Sequence, residues 1–285
     1  MGADLHCHTR LSDGSMGIDD LIILAKNRGV KKIAITDHDC QAASVRGRLI
    51  GDRHGVTVYQ GVELSATDSK RGRQAHILGY LTEAPDRLEG LCRRNLEARK
   101  RASQHMIVRA ARRYPTTAEL ILKCATGSTN VYEQHIMHAL MECGVADKIY
   151  GSVYEELFSP ESEDNIIVNA RFPEPTEIID AIHEAGGIAV LAHPALFDSF
   201  DLLDELIEYG LDGIEVWHPQ CDEECQNYLK TLAEKHDLLM TGGSDFHGMY
   251  TKSPISIGSL KTPPEHLRRL LTYKARKRRA EAEQN

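Results

Sequence analysis

Two histidines and an aspartate stand close together near the start of the chain. His6 and His8 are separated by one residue, and Asp13 follows five residues after His8. Because residues i and i+2 of a strand face the same side, both imidazoles are expected on one face. Neutral imidazoles and carboxylates are ligands for zinc, manganese and iron. The stretch therefore predicts a metal site rather than a strand packed only by apolar residues.

The same residue types recur in or at the ends of the other apolar runs. His38 follows "AITD" and His193 follows "IAVLA", while Asp245 and His247 repeat the spacing of two. In parallel α/β folds the carboxyl ends of the strands meet, so these side chains are expected to converge. Clustered carboxylates would repel one another unless cations joined them. The candidate metal ligands are His6, His8, Asp13, His38, Glu63, His76, His193, Asp245 and His247.

This ligand set predicts hydrolysis of phosphoesters. It contains nitrogen and oxygen donors without thiolates, which excludes a closed cysteine zinc site and favours two or three divalent ions (Mn, Zn or Fe). Three divalent ions and three carboxylates would leave an excess of about three positive charges, which suits a phosphate group. A hydroxide that bridges two metals near neutral pH would be the nucleophile.

The elements that must position these residues alternate between strands and helices. Hydrophobic strands followed by helices predict an α/β fold, a parallel sheet or barrel covered by helices. The alternation stops between residues 84 and 165, where consecutive helices are predicted. We interpret residues 1–83 and 166–285 as a discontinuous metal-binding barrel, and residues 84–165 as a helical insertion that forms part of the substrate pocket.

Composition excludes several classes of function. The chain has 285 residues and a net charge of −8, so a nucleic-acid partner is not expected. No apolar run approaches the roughly 18 residues of a membrane span, and the first residues do not form a signal peptide, which predicts a cytoplasmic protein. The seven scattered cysteines, Cys221 and Cys225 included, are predicted to be reduced thiols. The oligomeric state is left open.

Six motifs in order resemble the polymerase and histidinol phosphatase (PHP) family, and within it the stand-alone metal-dependent phosphoesterases. They are "DLHCHTRLSDG", "AITDHD", "GVELS", "AHILGY", "LAHP" and "GGSDFHG". The resemblance implies a distorted (β/α)7 barrel with a trinuclear metal centre. One metal would be held by His6, His8, Glu63 and Asp245. A second would share Glu63 and be held with His76 and His193. The third would be held by Asp13, His38 and His247.

The chain departs from the family pattern where the substrate is expected. Members that act on phosphomonoesters have an Arg-Thr-His run in the insertion. Here the run reads "EQH", so His135 is kept while Glu133 and Gln134 replace its predecessors. Arg99 matches a recurring family arginine. Fewer cations weaken the grip on a phosphate dianion. We therefore predict a small phosphorylated metabolite or nucleotide as substrate, with a phosphodiester or cyclic phosphate cleaved first and the monoester second.

The remaining roles are expectations of the same kind. His135, Arg99 and His218 are predicted to contact the substrate, and a general acid is expected among His193, His218 and Asp245. The alternatives are a nucleotide phosphomonoesterase and a 3'-5' exonuclease-like nuclease on the same metal centre. A hydrolase of C–N bonds and a non-catalytic metal-binding protein are the more distant alternatives.

Overall fold

The computed structural model describes residues 1–252 and 255–284. Six strands form one sheet in the order of the sequence, from β1 to β6. They are β1 Lys32–Ile35, β2 Thr57–Asp68, β3 Arg73–Tyr80, β4 Ile188–Leu191, β5 Gly213–Trp217 and β6 Leu239–Gly242. All six coincide with apolar runs of the sequence.

The described residues form ten α-helices around and beside the sheet. Two flank β1, α1 Ile18–Asn27 before it and α2 Ala43–His54 after it. Four occupy the predicted insertion, α3 Glu89–Arg113, α4 Ala118–Cys124, α5 Glu133–Glu142 and α6 Ser152–Phe158. Four belong to the second half of the chain, α7 Pro175–Glu184, α8 Phe200–Tyr209, α9 Glu223–Lys235 and α10 Pro264–Gln284.

The sheet is mixed, which corrects the expectation of a wholly parallel arrangement. β1 and β2 are parallel, as are β4, β5 and β6, but β3 runs antiparallel to both of its neighbours. A four-residue turn joins β2 to β3, with Gly72 at φ +70° and its N–H bonded to the Asp68 carbonyl. So short a connection can only reverse the chain, since a parallel crossover needs a dozen or more residues.

The first residues of the chain close the sheet. The segment 3–8 bonds to the first strand through the N–H of Ala34 and the carbonyl of Asp4 at 2.8 Å. On its other side the N–H of Leu5 donates to the Gly242 carbonyl, at the end of β6. The segment thus occupies the place of a seventh strand between β1 and β6. The predicted distorted α/β barrel is confirmed.

The four helices of the predicted insertion have a hydrophobic cluster of their own. Ile121 of α4 and Ile136 and Leu140 of α5 are fully buried within it, and Ile166 and Tyr250 are its buried members from outside residues 84–165. The larger cluster packs the sheet against α7, α8 and α9.

The prediction that all cysteines are reduced thiols is wrong at one pair. Cys221 and Cys225 form a disulfide, and their Cα atoms are 5.4 Å apart. The two residues do not share a helix face, because Cys221 precedes α9, whose N-cap is Asp222. Cys221 lies just before α9 and Cys225 lies in its first turn, so the two sulfurs are close enough to bond. Among the described residues the other five cysteines are unpaired, and no helix has the length and hydropathy of a membrane span.

Candidate metal centre

Glu63 lies at the centre of the predicted ligands. Its Oε1 is 2.8 Å from Nδ1 of His76 and 2.7 Å from Nε2 of His193. Its Oε2 is 3.1 Å from Nε2 of both His6 and His8. The sequence suggested that Glu63 ends a strand. In the structure it lies in the middle of β2. The antiparallel β3 nevertheless brings His76 opposite Ser65, two residues along β2 from Glu63.

Asp13 forms a second focus of the cluster. Its Oδ2 is 3.3 Å from Nε2 of His247 and 3.7 Å from Nε2 of His38. His38 also reaches towards Glu63, with 3.4 Å between its Nδ1 and Oε2. After the extended segment 3–8 the chain therefore turns back, and the side chain of Asp13 lies beside His38 and His247.

Asp245 joins the two foci from the other side. Its Oδ1 is 3.4 Å from Nε2 of His6 and from Nε2 of His8. Its backbone carbonyl lies 2.8 Å from Nδ1 of His247. Since that contact uses Nδ1–H as donor, the Nε2 lone pair of His247 is left facing Asp13.

The nine residues form overlapping groups whose ligand atoms lie within 4.8 Å of one another. The groups are His6, His8 and Asp245; His6, Glu63 and His193; His38, Glu63 and His76; and His8, Asp13, His38 and His247. They overlap only in part with the three groups that the family resemblance implies. Glu63 is absent from the group of His6, His8 and Asp245, and it forms separate groups with His193 and with His76. His8 also joins the group of Asp13, His38 and His247.

The donor atoms fit divalent metals. Four buried atoms of the cluster have no hydrogen-bond partner among the described residues, namely Nε2 of His8, Oδ1 of Asp13, Nδ1 of His38 and Nδ1 of His193. A buried polar atom without a partner is costly in a native protein. Nitrogen and oxygen donors that converge in this way satisfy the preferences of Mn, Zn and Fe.

The electrostatics keep the carboxylates ionised. Burial would raise the pKa of Glu63, but the imidazoles of His38 and His6 outweigh burial and lower that pKa well below its ordinary value. Burial is outweighed in the same way at Asp245, whose pKa His6 and His247 lower. Each of these two carboxylates is therefore ionised in the folded protein.

Two of the candidate ligands have an unusual backbone conformation. His193 has φ +26° and Asp245 has φ +49°, both in the left-handed region that non-glycine residues seldom occupy. Such strain is concentrated at functional sites, where the surrounding structure imposes it. Here it directs both side chains into the cluster at the ends of β4 and β6.

Glu215 is a functional residue that the sequence analysis missed. It is fully buried in β5, with Oε1 2.9 Å from Nδ1 of His6, and its Oε2 accepts the backbone N–H of His193 at 2.9 Å. Burial would raise its pKa, but His6 lowers it below the ordinary value. A signal was present, since Glu215 is the one acidic residue inside the run "GIEVW".

Asp37 and Asp39 flank His38 in the sequence and bond to residues beside the cluster rather than to the candidate ligands. Asp37 accepts from the Ser12 hydroxyl at 2.9 Å, and that hydroxyl lies 3.3 Å from Nδ1 of His8. Asp39 accepts from Ser65 and lies 3.4 Å from the guanidinium of Arg99. One aspartate therefore braces a ligand, and the other braces a cation.

The cluster forms the floor of a cavity of about 370 Å³, a size suited to a small molecule. Residues of the predicted insertion form much of its wall. Among the described lining residues the permanently charged cations are Arg99 and Lys252, and Glu133 adds a carboxyl group. Burial raises the pKa of Glu133 above its ordinary value, and the 2.7 Å hydrogen bond from the Tyr154 hydroxyl offsets only part of that rise.

The predicted substrate residues are placed differently from one another. Arg99 lines the cavity, and its Nη2 donates to the Ser65 hydroxyl at 2.6 Å. His218 also lines it, with Nε2 3.3 Å from Oδ2 of Asp245. His135 is not among the described residues that line this cavity. Its Nδ1 accepts the backbone N–H of Tyr132 instead, so it fixes the start of α5.

A barrel that presents converging imidazoles and carboxylates beneath a small polar cavity defines a metal-dependent hydrolase. Comparison with known proteins makes the class more specific. The family model described as PHP domain matches residues 4–236, and the chain belongs to the PHP family.

The relatives are phosphoesterases. The chain is 38% identical over 256 residues to the phosphoribosyl 1,2-cyclic phosphate 1,2-diphosphodiesterase of Eggerthella lenta, covering 88% of this chain and 96% of that protein. It is 31% identical to the 5'-3' exoribonuclease Rnm of Escherichia coli, covering 86% and 84%. A crystal structure from Bifidobacterium adolescentis, described as a metal-dependent phosphoesterase, superposes with a TM-score of 0.86 at 30% identity, covering 95% and 96%. The protein is a metal-dependent phosphoesterase that uses divalent metal ions.

Proposed function

We propose that this enzyme hydrolyses a small cyclic phosphodiester of a sugar phosphate and then the monoester that this step produces. The observation that carries the proposal is the charge of the cavity above the ligands. The guanidinium of Arg99, whose side chain is 18% exposed, lines the cavity, and the other lining cation, Lys252, stands at an exposed position. The carboxyl group of Glu133 lines the same wall, at the position where the family resemblance implies an arginine in phosphomonoesterases. A cyclic diester carries one negative charge and suits this wall better than a dianion does.

The relatives support the same substrate class. The Eggerthella lenta protein, by its name, acts on a phosphoribosyl 1,2-cyclic phosphate. The alignment covers 96% of the Eggerthella lenta protein and 88% of this chain, so the comparison includes the residues of the cavity wall. The volume of about 370 Å³ accommodates a phosphorylated pentose more readily than a polynucleotide.

We assign the nine predicted residues as ligands of two or three Mn, Zn or Fe ions. Their four unpartnered buried atoms support this assignment. When bound, such ions polarise phosphoryl oxygens and lower the pKa of water to near neutrality. Glu63 would be shared between neighbouring ions, since its two oxygens face different pairs of imidazoles.

The side chains above the ligands supply hydrogen bonds to the substrate. The guanidinium of Arg99, braced by Ser65 and Asp39, binds a non-bridging phosphoryl oxygen. His218 stabilises the leaving oxygen by donating a hydrogen bond to it. Its Nδ1 accepts the backbone N–H of Gln220 at 3.2 Å, so the neutral ring carries its hydrogen on Nε2, which faces the cavity beside Asp245. His193 and Asp245, which the sequence also offered as general acids, are occupied by ligand contacts.

A substrate panel tests the proposal. Protein loaded with Mn is assayed against a five-membered cyclic sugar phosphate, a linear diester, nucleotide monoesters, a nucleoside 3',5'-bisphosphate and a short RNA. The expected result is the highest kcat/KM for the cyclic sugar phosphate, with orthophosphate as the final product. Turnover of nucleotide monoesters alone, or of RNA alone, would overturn the proposal in favour of a nucleotide phosphatase or a nuclease.

A further inference from the structure

The hydroxyl of Tyr132 is buried at the wall of the cavity without a hydrogen-bond partner among the described residues. The residue is 6% exposed and stands immediately before α5. Its backbone N–H donates to Nδ1 of His135 at 3.0 Å, so the main chain at this point is fixed. A buried donor without a partner is destabilising unless something else accepts its hydrogen.

The ring of Tyr132 is held between two groups of the site. On one face the guanidinium carbon of Arg99 lies 4.8 Å from the ring centroid. The imidazole of His38 is stacked at 6.0 Å, with 24° between the two planes. Phe172 packs on the guanidinium at 5.0 Å. The ring therefore cannot turn its hydroxyl to another partner without losing these contacts.

Arg99 has an unpartnered buried donor of its own, Nε. Two neighbouring residues of one cavity wall thus carry donors that the folded chain leaves unsatisfied. A phenol is neutral near pH 7, whereas a guanidinium is charged. One charge and one neutral donor together complement an acceptor that carries a single negative charge.

We propose that Tyr132 is a substrate-contacting residue that determines specificity, and that its hydroxyl donates a hydrogen bond to a phosphoryl oxygen of the cyclic diester beside Arg99. The inference rests on the proposed function and adds a contact to it. A neutral donor adds a hydrogen bond to the phosphoryl group without adding the positive charge that would favour a dianion over a monoanion. The adjacent Glu133 carboxyl, which lines the same wall, adds to the bias against the dianion.

The variant Tyr132→Phe tests the contact, because it removes the hydroxyl and keeps the ring that packs on Arg99 and His38. We expect kcat/KM for the cyclic diester to fall by about 10- to 100-fold, the range for a hydrogen bond to a charged group. The value for the corresponding monoester should fall by a smaller factor. Bound Mn per chain and the midpoint of thermal unfolding should be unchanged.

Tyr114→Phe is the matched control. Its hydroxyl bonds to Glu156 in the insertion, outside the described lining of the cavity, so the variant should retain the kcat/KM of the unsubstituted protein for both substrates. Unchanged diester hydrolysis by the Tyr132→Phe variant would overturn the inference about Tyr132 and leave the proposed function intact. Loss of bound Mn with equal losses on both substrates would also overturn it, in favour of a packing role beside His38. If the unsubstituted protein hydrolysed monoesters but not the cyclic diester, the proposed function would be overturned. The proposed role of Tyr132 in choosing the diester would be overturned with it.

Discussion

Oε1 of Glu215 lies 2.9 Å from Nδ1 of His6, and both side chains are fully buried. The contact fixes the imidazole so that Nδ1–H donates to the carboxylate and the Nε2 lone pair faces Glu63 and Asp245. Carboxylates that hold ligating histidines in this way orient the ring and raise its basicity. Glu215 therefore acts on the metal centre through His6.

Glu215→Gln should weaken metal binding by about 10- to 100-fold, the usual cost of removing such a partner. The amide cannot accept from both His6 and the backbone of His193 as the carboxylate does. Competitive titration of Mn against a chelator measures the affinity, with Glu208→Gln on the exposed face of α8 as the control. An affinity equal to that of the unsubstituted protein would contradict the assigned role.

Substitutions at the two foci of the cluster should remove different numbers of ions. Asp13→Asn affects the group around His247 and is expected to lower the metal content by about one ion per chain. Glu63→Gln affects a carboxylate that contacts five imidazoles, and is expected to lower the metal content further. Elemental analysis of dialysed protein provides the counts. Equal losses in the two variants would argue against separate sites.

Arg99→Met should raise KM for phosphorylated substrates by about 10- to 100-fold, because one charge-assisted hydrogen bond is lost. Metal content should be unchanged, since the guanidinium braces on Ser65 and Asp39 rather than on a ligand. Arg101→Met, at an exposed position of the same helix, is the matched control. If the two variants gave the same KM, Arg99 would not contact the phosphate.

Asp212 makes stability depend on pH. Burial would raise its pKa, but hydrogen bonds from His183 at 2.7 Å and Tyr273 at 2.6 Å lower it below the ordinary 3.8. A carboxyl group with a lowered pKa in the folded state stabilises the fold above the unfolded value, and that contribution is lost as pH falls through the folded value.

Asp212→Asn is thus expected to lower the free energy of unfolding by about 1–3 kcal/mol at pH 7. The difference from the unsubstituted protein should shrink as pH falls below 4. Urea titrations between pH 3 and pH 7 measure both effects, and Asp204→Asn on α8 serves as an exposed control. A difference that did not vary with pH would show that the charge of Asp212 is not responsible.

The clustering of the candidate ligands could be predicted from the sequence because their chemistry conflicts with their position. His6, His193 and Asp245 stand at the ends of apolar runs, where polar groups are costly unless they have a use. The sequence also indicated that the first segment is extended, because Leu5 and Cys7 alternate with the two histidines. Both residues are buried in the structure.

Other features depend on pairing across the fold, which a single sequence does not display. Glu215 meets His6 from 209 residues away. His135 matched a family position, yet its ring accepts the backbone N–H of Tyr132, the residue immediately before α5. The disulfide between Cys221 and Cys225 depends on where α9 begins, and helix boundaries are the least predictable part of a pattern.

The central claim is tested most directly by ³¹P NMR of a five-membered cyclic sugar phosphate incubated with the protein, first stripped of metal and then reconstituted with Mn. The account predicts no change in the spectrum of the stripped sample. After reconstitution the cyclic signal should disappear, a monoester signal should rise transiently, and orthophosphate should accumulate. A cyclic signal that persisted with the reconstituted protein, or that vanished equally fast without metal, would contradict the account.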